Sequence, residues 1–213
     1  MARRQRVVGK ALVLVAGLVP VAWLAVGAWR DDLGANPIEK ITHVTGDWAL
    51  RFLLLSLTVT PLRRLLRWNE LVAYRRMLGL FAFFYAVLHL STFVVLDHYF
   101  DWQAIVADVY KRPYVTAGAT ALLCLTPLAI TSTRGWIRRL GRRWTTLHRL
   151  AYVAAAAAVV HYWWLVKADV RWPLWYGAAL AILLTARVVY WALATRQLQR
   201  LGAVLPSLGD GAS

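Results

Sequence analysis

Residues 147–166 read LHRLAYVAAAAAVVHYWWLV, an apolar stretch of membrane-spanning length that carries two histidines, His148 and His161. A histidine inside an apolar membrane segment is rare unless it pairs with another group or binds a ligand. A third histidine, His89, lies within a second apolar stretch, residues 77–96. The sequence therefore predicts membrane helices that gather histidines around a bound group.

The composition is that of a membrane protein. Of the 213 residues, 60% are hydrophobic and 16% are charged, with a mean hydropathy of +0.52. These values are too apolar for an ordinary soluble domain. A net charge of +15 could indicate nucleic-acid binding, but the positive residues flank the apolar stretches, and membrane topology explains them better. We predict one transmembrane domain over residues 1–213 and no nucleic-acid partner.

Six stretches have the length needed to span a bilayer, which predicts an all-α polytopic helix bundle. They cover residues 11–29, 46–62, 77–96, 114–133, 147–166 and 172–194. The second stretch is the weakest, because Arg51 interrupts it and Pro61 is expected to help end it. The first follows a basic tail as in a signal peptide, but its length favours a retained helix.

The distribution of Lys and Arg predicts that both termini are cytoplasmic. Sixteen of these residues lie on one predicted side, in the tail 1–10, the loops 63–76 and 134–143, and the tail from 196, whereas six lie on the other. Loops rich in Lys and Arg stay on the cytoplasmic side of a membrane. Such a basic face would also contact anionic lipid.

With this topology, His89 and His161 fall at the same depth in the membrane. His89 lies twelve residues, or about 18 Å, above the inner boundary of its stretch, and His161 lies thirteen residues, or about 20 Å, above its own. Neutral imidazoles at matched depth on two helices are what a bis-histidine haem requires. The competing interpretation is that each histidine only bonds a backbone carbonyl or a hydroxyl.

His148 lies at the inner boundary, beside Arg149. On a regular helix it would point about 140° away from His161, so the helix must unwind, bulge or tilt for both to face one pocket. The matching positions on the third stretch are Arg75 and Arg76, which cannot ligate iron. These arginines could instead pair with a haem propionate or a flavin phosphate.

Arg187 lies in the inner half of the sixth stretch and predicts an anionic partner, such as a propionate, or a side chain that reaches the membrane surface. His43 and His98 lie near outer loops, and we expect both to face solvent. Asp47 and Arg51 are four residues apart and could pair. The only cysteine is Cys124, which excludes iron–sulfur clusters and cysteine zinc sites.

Several long segments resemble the MsrQ (formerly YedZ) family, within the ferric-reductase-like transmembrane superfamily that includes the NADPH oxidases. They are GANPIEKITHVTGDWALRFLLLSLTVTPLRR, RRMLGL, LAITSTRGWIRRLGRRWTTLHRLAYVAA and HYWWLVK. The resemblance covers about residues 34–167, and it places a ferric-reductase-like haem core at about residues 46–194.

The resemblance implies one haem b or two, and FMN, in a multi-pass protein of the bacterial inner membrane. It implies that the haem-binding histidines are His89, His148 and His161. It also implies electron transfer from the quinone pool to MsrP, a periplasmic molybdopterin enzyme that reduces methionine sulfoxide in oxidised proteins. The superfamily has a fourth histidine where this chain has Arg75 and Arg76, which leaves a second bis-histidine haem open.

Two other functions fit parts of the sequence. A stand-alone membrane ferric reductase would pass electrons to external iron without a protein partner. A transporter would need polar residues along a path through the membrane and broken helices, and the first and fourth stretches offer few polar groups. The sequence shows no catalytic triad, paired carboxylates or nucleotide-binding glycine loop, so we expect the methionine sulfoxide chemistry to lie on the partner.

Overall fold

The computed structural model describes residues 3–166 and 168–204 of the chain. Lys167 and Asp210, which enter the charge distribution, lie outside the described residues. The described part is all-helical, as predicted. Its helices are α1 Arg3–Trp29, α2 Pro37–Leu66, α3 Val72–Ser91, α4 Trp102–Lys111, α5 Pro113–Ile130, α6 Arg134–Leu140, α7 Arg142–Leu147, α8 Leu150–Leu165 and α9 Arg171–Val204. A 3₁₀ turn, Asn69–Leu71, precedes α3, and a π-helix, Thr92–Asp97, extends it.

The helices begin where the sequence supplies caps. The Asn36 side chain accepts a hydrogen bond of 3.2 Å from the Glu39 amide, and Pro37 occupies the first turn of α2. Pro113 starts α5 in the same manner, immediately after α4 ends. These residues therefore set where α2 and α5 begin.

The core is built from two helix pairs, α2 with α3 and α5 with α8. Leu53 of α2 and Tyr85 of α3 are buried in the first pair. Ala154 and Ala155 of α8 are fully buried, because small side chains let membrane helices approach closely. The alanine run that marks residues 154–158 therefore serves close packing of α8.

Helix α1 is attached to α3 by a polar contact in an apolar setting. The Tyr85 hydroxyl donates a hydrogen bond of 2.7 Å to the Gly17 carbonyl and accepts one of 3.2 Å from the Val21 amide. A Cβ on Gly17 would lie 2.4 Å from the Phe81 ring, so only glycine permits this approach. Pro20 lies in the next turn of α1.

Four helices are long and apolar enough to cross a membrane: Arg4–Trp29, Asn69–Asp97, Pro113–Ile130 and Arg171–Arg196. They coincide with four of the six predicted stretches. Helix α2 is long, but Asp47 and Arg51 lower its hydropathy, and α8 has only 16 residues. The membrane character of the chain is thereby established, and the crossings of α2 and α8 remain predictions.

Two predicted boundaries were wrong. Helix α2 continues through Pro61 to Leu66, because a proline inside a membrane helix removes one hydrogen bond without ending the helix. The stretch 147–166 is not continuous, because the chain leaves the helix at His148 and Arg149 between α7 and α8. There the Arg149 amide bonds to the Thr146 carbonyl, three residues back, which tightens the turn.

Candidate functional site

His89 is held by α2 across the first helix pair. Its Nδ1 donates a hydrogen bond of 2.9 Å to the Thr42 carbonyl, since a carbonyl can only accept. One turn further along α2 the ring rests on Gly46, where a Cβ would lie 3.1 Å from the imidazole. This contact fixes the ring orientation and leaves Nε2 with its lone pair.

His161 is held by α5 in the same manner. Its Nδ1 donates a hydrogen bond of 2.6 Å to the Tyr114 carbonyl. The ring rests on Gly118, and a Cβ at that position would lie 2.8 Å from Nδ1. No side chain larger than glycine fits here without a shift of the imidazole. Nε2 is again left as the free nitrogen.

The two rings face each other across the interior of the bundle. The centroids of the His89 and His161 rings are 5.9 Å apart, and the ring planes are inclined by 79°. With metal–nitrogen distances of about 2 Å, two imidazoles on opposite sides of one metal ion have centroids about 6 Å apart. The structure therefore brings the two predicted histidines to a separation at which both could bind one metal ion.

The donor set favours iron in a porphyrin over a metal held by side chains alone. Within residues 3–166 and 168–204, no three His, Cys, Asp or Glu side chains are grouped so that they could hold a metal ion. A pair of imidazoles without a third ligand fits a metal whose remaining ligands come from its own macrocycle. The fixed Nδ1 hydrogen bonds supply the outer-shell orientation that such ligands usually have.

The two halves of the site repeat one spacing. His89 follows its carbonyl partner Thr42 by 47 residues, and His161 follows Tyr114 by the same 47 residues. The glycine beneath each ring precedes its histidine by 43 residues in both cases. The glycines and carbonyls are site residues that the sequence analysis missed, and this repeated spacing was the signal for them.

A polar network lies beside the histidine pair. The predicted pair between Asp47 and Arg51 is confirmed, with 3.3 Å between the carboxylate and the guanidinium. Arg51 Nε also donates a hydrogen bond of 2.9 Å to the Tyr176 hydroxyl of α9, and the Tyr162 ring lies 5.8 Å from that of Tyr176. The network links α2, α8 and α9 close to His161.

His148 lies at the break between α7 and α8, where the chain departs from the regular helix on which His148 would point away from His161. Its ring stacks on Trp144 with a centroid separation of 3.8 Å, and Nδ1 donates to the Trp144 carbonyl at 3.0 Å. Its Nε2 is buried and has no hydrogen-bond partner of standard geometry in the described part of the chain, although the Leu128 carbonyl lies nearby. A buried nitrogen with a free lone pair fits a ligand that remains to be bound.

The three predicted arginines occupy different environments. Arg75 lies in the first turn of α3, close to His148, Tyr152 and Arg187, whereas the Arg76 side chain is exposed. The Arg187 guanidinium lies over the Tyr152 ring, 4.8 Å from its centroid. Of the two arginines that replace the expected histidine, only Arg75 therefore faces the interior.

The two remaining histidines differ from each other. The His43 side chain is 51% exposed, as expected, and lies 3.7 Å from Glu39. The prediction for His98 was wrong, because its side chain is only 14% exposed. His98 Nε2 lies 3.1 Å from Asp108, and the ring packs on Phe93, so α4 folds over it. The position of His98 near a predicted loop did not indicate that α4 would pack over its side chain.

The helical architecture and the facing histidines define the class of the protein. Residues 45–159 match the family described as "Ferric reductase like transmembrane component", and this region contains α3 and α5 and most of α2 and α8. The chain is therefore a ferric-reductase-like transmembrane protein.

Curated relatives narrow the class to one family. The chain is 53% identical over 186 residues to a protein of Herminiimonas arsenicoxydans, covering 86% of this chain and 85% of that one. It is 52% identical over 182 residues to one of Rhodospirillum rubrum, covering 85% and 88%, and 50% identical over 184 residues to one of Xanthomonas oryzae, covering 84% of each. Each relative is named "Protein-methionine-sulfoxide reductase heme-binding subunit MsrQ". The chain belongs to the MsrQ family.

Proposed function

We propose that this protein is a membrane cytochrome subunit that carries haem b and transfers electrons in a methionine sulfoxide reductase system. The observation that supports this function is the pair His89 and His161, with ring centroids 5.9 Å apart and each Nδ1 hydrogen-bonded to a carbonyl. A bound haem would supply one-electron redox chemistry. The chain's own part is to orient both imidazoles and to surround the site with apolar side chains.

The proposed topology has six transmembrane helices with both termini in the cytoplasm, in the bacterial inner membrane. Four helices have the required length and hydropathy. Helix α2 lies alongside α3, and α8 lies alongside α5, so each weaker helix is packed against a helix that spans. The arginine-rich loops then lie inside, and the histidine pair lies nearer the periplasm.

His148 forms the basis of a second, inner site. Its unpartnered Nε2 would ligate a second haem, and Arg75 would pair with an anionic group of that haem or with the FMN phosphate. The exposed Arg76 would contribute charge at the same boundary. The FMN assignment rests on the family resemblance, and the arginines are the groups that suit its phosphate.

The proposed electron donor is the quinone pool, and the proposed acceptor is an MsrP-like periplasmic molybdoenzyme that carries out the methionine sulfoxide chemistry. The names of the relatives support a role beside a reductase. A histidine pair nearer the periplasmic face is suited to an acceptor on that side. The chain itself then needs no group that attacks the substrate.

A measurement of haem and flavin per chain tests this function, combined with a redox titration of the detergent-purified protein. We expect at least one reducible haem b of bis-histidine type, and FMN in the same preparation. A haem-free protein would rule out the proposal. Two haems would assign the second to His148, and His148→Ala should then remove one haem and leave the other.

The family description also favours a second candidate, a stand-alone ferric reductase. The two functions differ in their acceptor. The purified protein, reduced by a quinol analogue, should pass electrons to a periplasmic molybdoenzyme and reduce ferric chelates slowly. Rapid reduction of ferric chelates without any protein partner would favour the ferric reductase.

A further inference from the structure

A cavity of about 190 Å³ lies between the second half of α2, α8 and α9. Its polar and aromatic lining consists of Thr60, Arg64, Tyr152, Arg187, Tyr190 and Trp191, and leucines complete the wall. Along α2, Thr60 lies fourteen residues beyond Gly46, which corresponds to about 21 Å. The cavity is therefore at the opposite end of the bundle from the histidine pair.

Two guanidinium groups line this cavity, and each lies over an aromatic ring. Arg64 lies over the Tyr190 ring at 5.1 Å, and Arg187 lies over the Tyr152 ring at 4.8 Å. Neither arginine has an ion-pair partner in the part of the chain that the structure describes. Both side chains lie over the rings that line the cavity. Cations at membrane depth require an anionic partner or water.

The Tyr152 hydroxyl is a second, independent sign of a ligand. It is buried, and its oxygen is approached by the Arg75 guanidinium, which can only donate. Within the described residues no acceptor lies within hydrogen-bond distance of the hydroxyl, and a buried O–H without an acceptor costs free energy that an oxygen from a ligand would remove. Phosphate oxygens accept hydrogen bonds from hydroxyl and guanidinium groups alike.

Exposed side chains line this cavity, so we infer that a ligand reaches it from the side of the bundle, which hydrocarbon would surround in a membrane. Trp191 at its rim is 70% exposed, and Arg64 and Arg187 are exposed as well. In a membrane protein, a lateral opening admits ligands that are dissolved in the bilayer. Leu57 and Leu184 line the same cavity, and they suit an acyl chain below a charged head group.

We propose that this cavity binds the phosphate head group of an anionic phospholipid. Basic pockets between membrane helices on the cytoplasmic side recognise such head groups, and the cavity lies at the end of α2 that leads into the arginine-rich loop 63–76. A neutral quinone would not require two cations, and a water-soluble nucleotide would not enter from the bilayer. Arg187 thus meets a lipid phosphate in place of the propionate expected for it.

Lipid binding to the full-length, detergent-purified protein tests this site. Native mass spectrometry with phosphatidylglycerol and phosphatidylcholine should show phosphatidylglycerol binding at least about fivefold more tightly. Arg64→Gln and Arg187→Gln should each reduce the preference about fivefold, since one arginine near a membrane contributes about that factor. Arg138→Gln, an exposed arginine of α6, should leave it within about twofold.

Tyr152→Phe keeps the ring beneath Arg187 and removes only the hydroxyl. We expect it to weaken phosphatidylglycerol binding about two- to fivefold while the melting temperature in neutral detergent stays unchanged. Equal affinity for the two lipids would overturn the proposal. The proposal would also be overturned if Arg64→Gln and Arg187→Gln kept the same lipid preference as the Arg138→Gln control and instead lost binding of added FMN or of a short-chain quinone.

Discussion

The His161 ring lies directly against Gly118, with its Nδ1 only 2.8 Å from the place that a Cβ on residue 118 would occupy. The adjacent Tyr114 carbonyl accepts the Nδ1 hydrogen bond at 2.6 Å. One turn of α5 thus provides both the acceptor that selects the tautomer and the space that admits the ring. The same arrangement of Thr42 and Gly46 holds His89 on α2.

The glycine contacts predict a graded response to alanine. Gly118→Ala should displace His161 and reduce the haem content of purified protein severalfold, because the contact at 2.8 Å cannot be accommodated without movement. Gly46→Ala should have a smaller effect, since its Cβ would lie 3.1 Å from His89. The absorbance of the reduced protein, per chain, measures the haem.

Gly79→Ala is the matched control for these variants. A Cβ on Gly79 would meet nothing within 4 Å apart from its chain neighbours and the backbone of its own helix, and alanine is the better helix former by about 1 kcal/mol. This variant should keep full haem and be at least as stable as the parent. A Gly118→Ala protein with an unchanged spectrum would show that the ring contact does not position the ligand.

Replacement of either facing histidine tests the ligand assignment itself. His89→Ala and His161→Ala should each remove the bis-histidine haem spectrum, because each substitution removes one of the two imidazoles that would hold the haem. His43→Ala serves as the control, since its side chain is half exposed on the outer part of α2. Full haem content in both interior variants would refute the assignment.

The contact between Tyr85 and α1 predicts a loss of stability. Tyr85→Phe removes the hydroxyl that bonds Gly17 and Val21, and a buried hydrogen bond of this kind contributes about 1 kcal/mol. We expect a lower melting temperature in detergent and unchanged haem content. Tyr110→Phe, at a side chain that is 85% exposed, should leave the melting temperature as it is.

The crossing of α2 is open to a direct topology experiment. Alkaline phosphatase fused after Gly34 should be active, and the same enzyme fused after Arg67 should be inactive, because the two positions lie at opposite ends of α2. Green fluorescent protein at the same positions should give the opposite pattern. Equal signals at both positions would show that α2 does not cross.

Part of the candidate site could be predicted from the sequence, and part could not. The equal depth of His89 and His161 follows from counting residues along two apolar stretches, because helical rise is regular. For their supports the sequence offered only the shared 43-residue spacing from Gly46 to His89 and from Gly118 to His161, because each glycine matters only through the ring that it faces. The burial of His98 could not be predicted either, since it depends on how α4 folds back over the ring.

The sequence by itself determined that this is a helical membrane protein with histidines in two apolar stretches, because hydropathy, charge and helical rise are properties of the local chain. Only the tertiary structure decided that His89 and His161 face each other, that the chain breaks at His148, and that Arg75 turns inward while Arg76 does not. These facts depend on the rotation of each helix about its axis. Packing between α2 and α3 and between α5 and α8 sets that rotation, and it joins residues far apart in the chain.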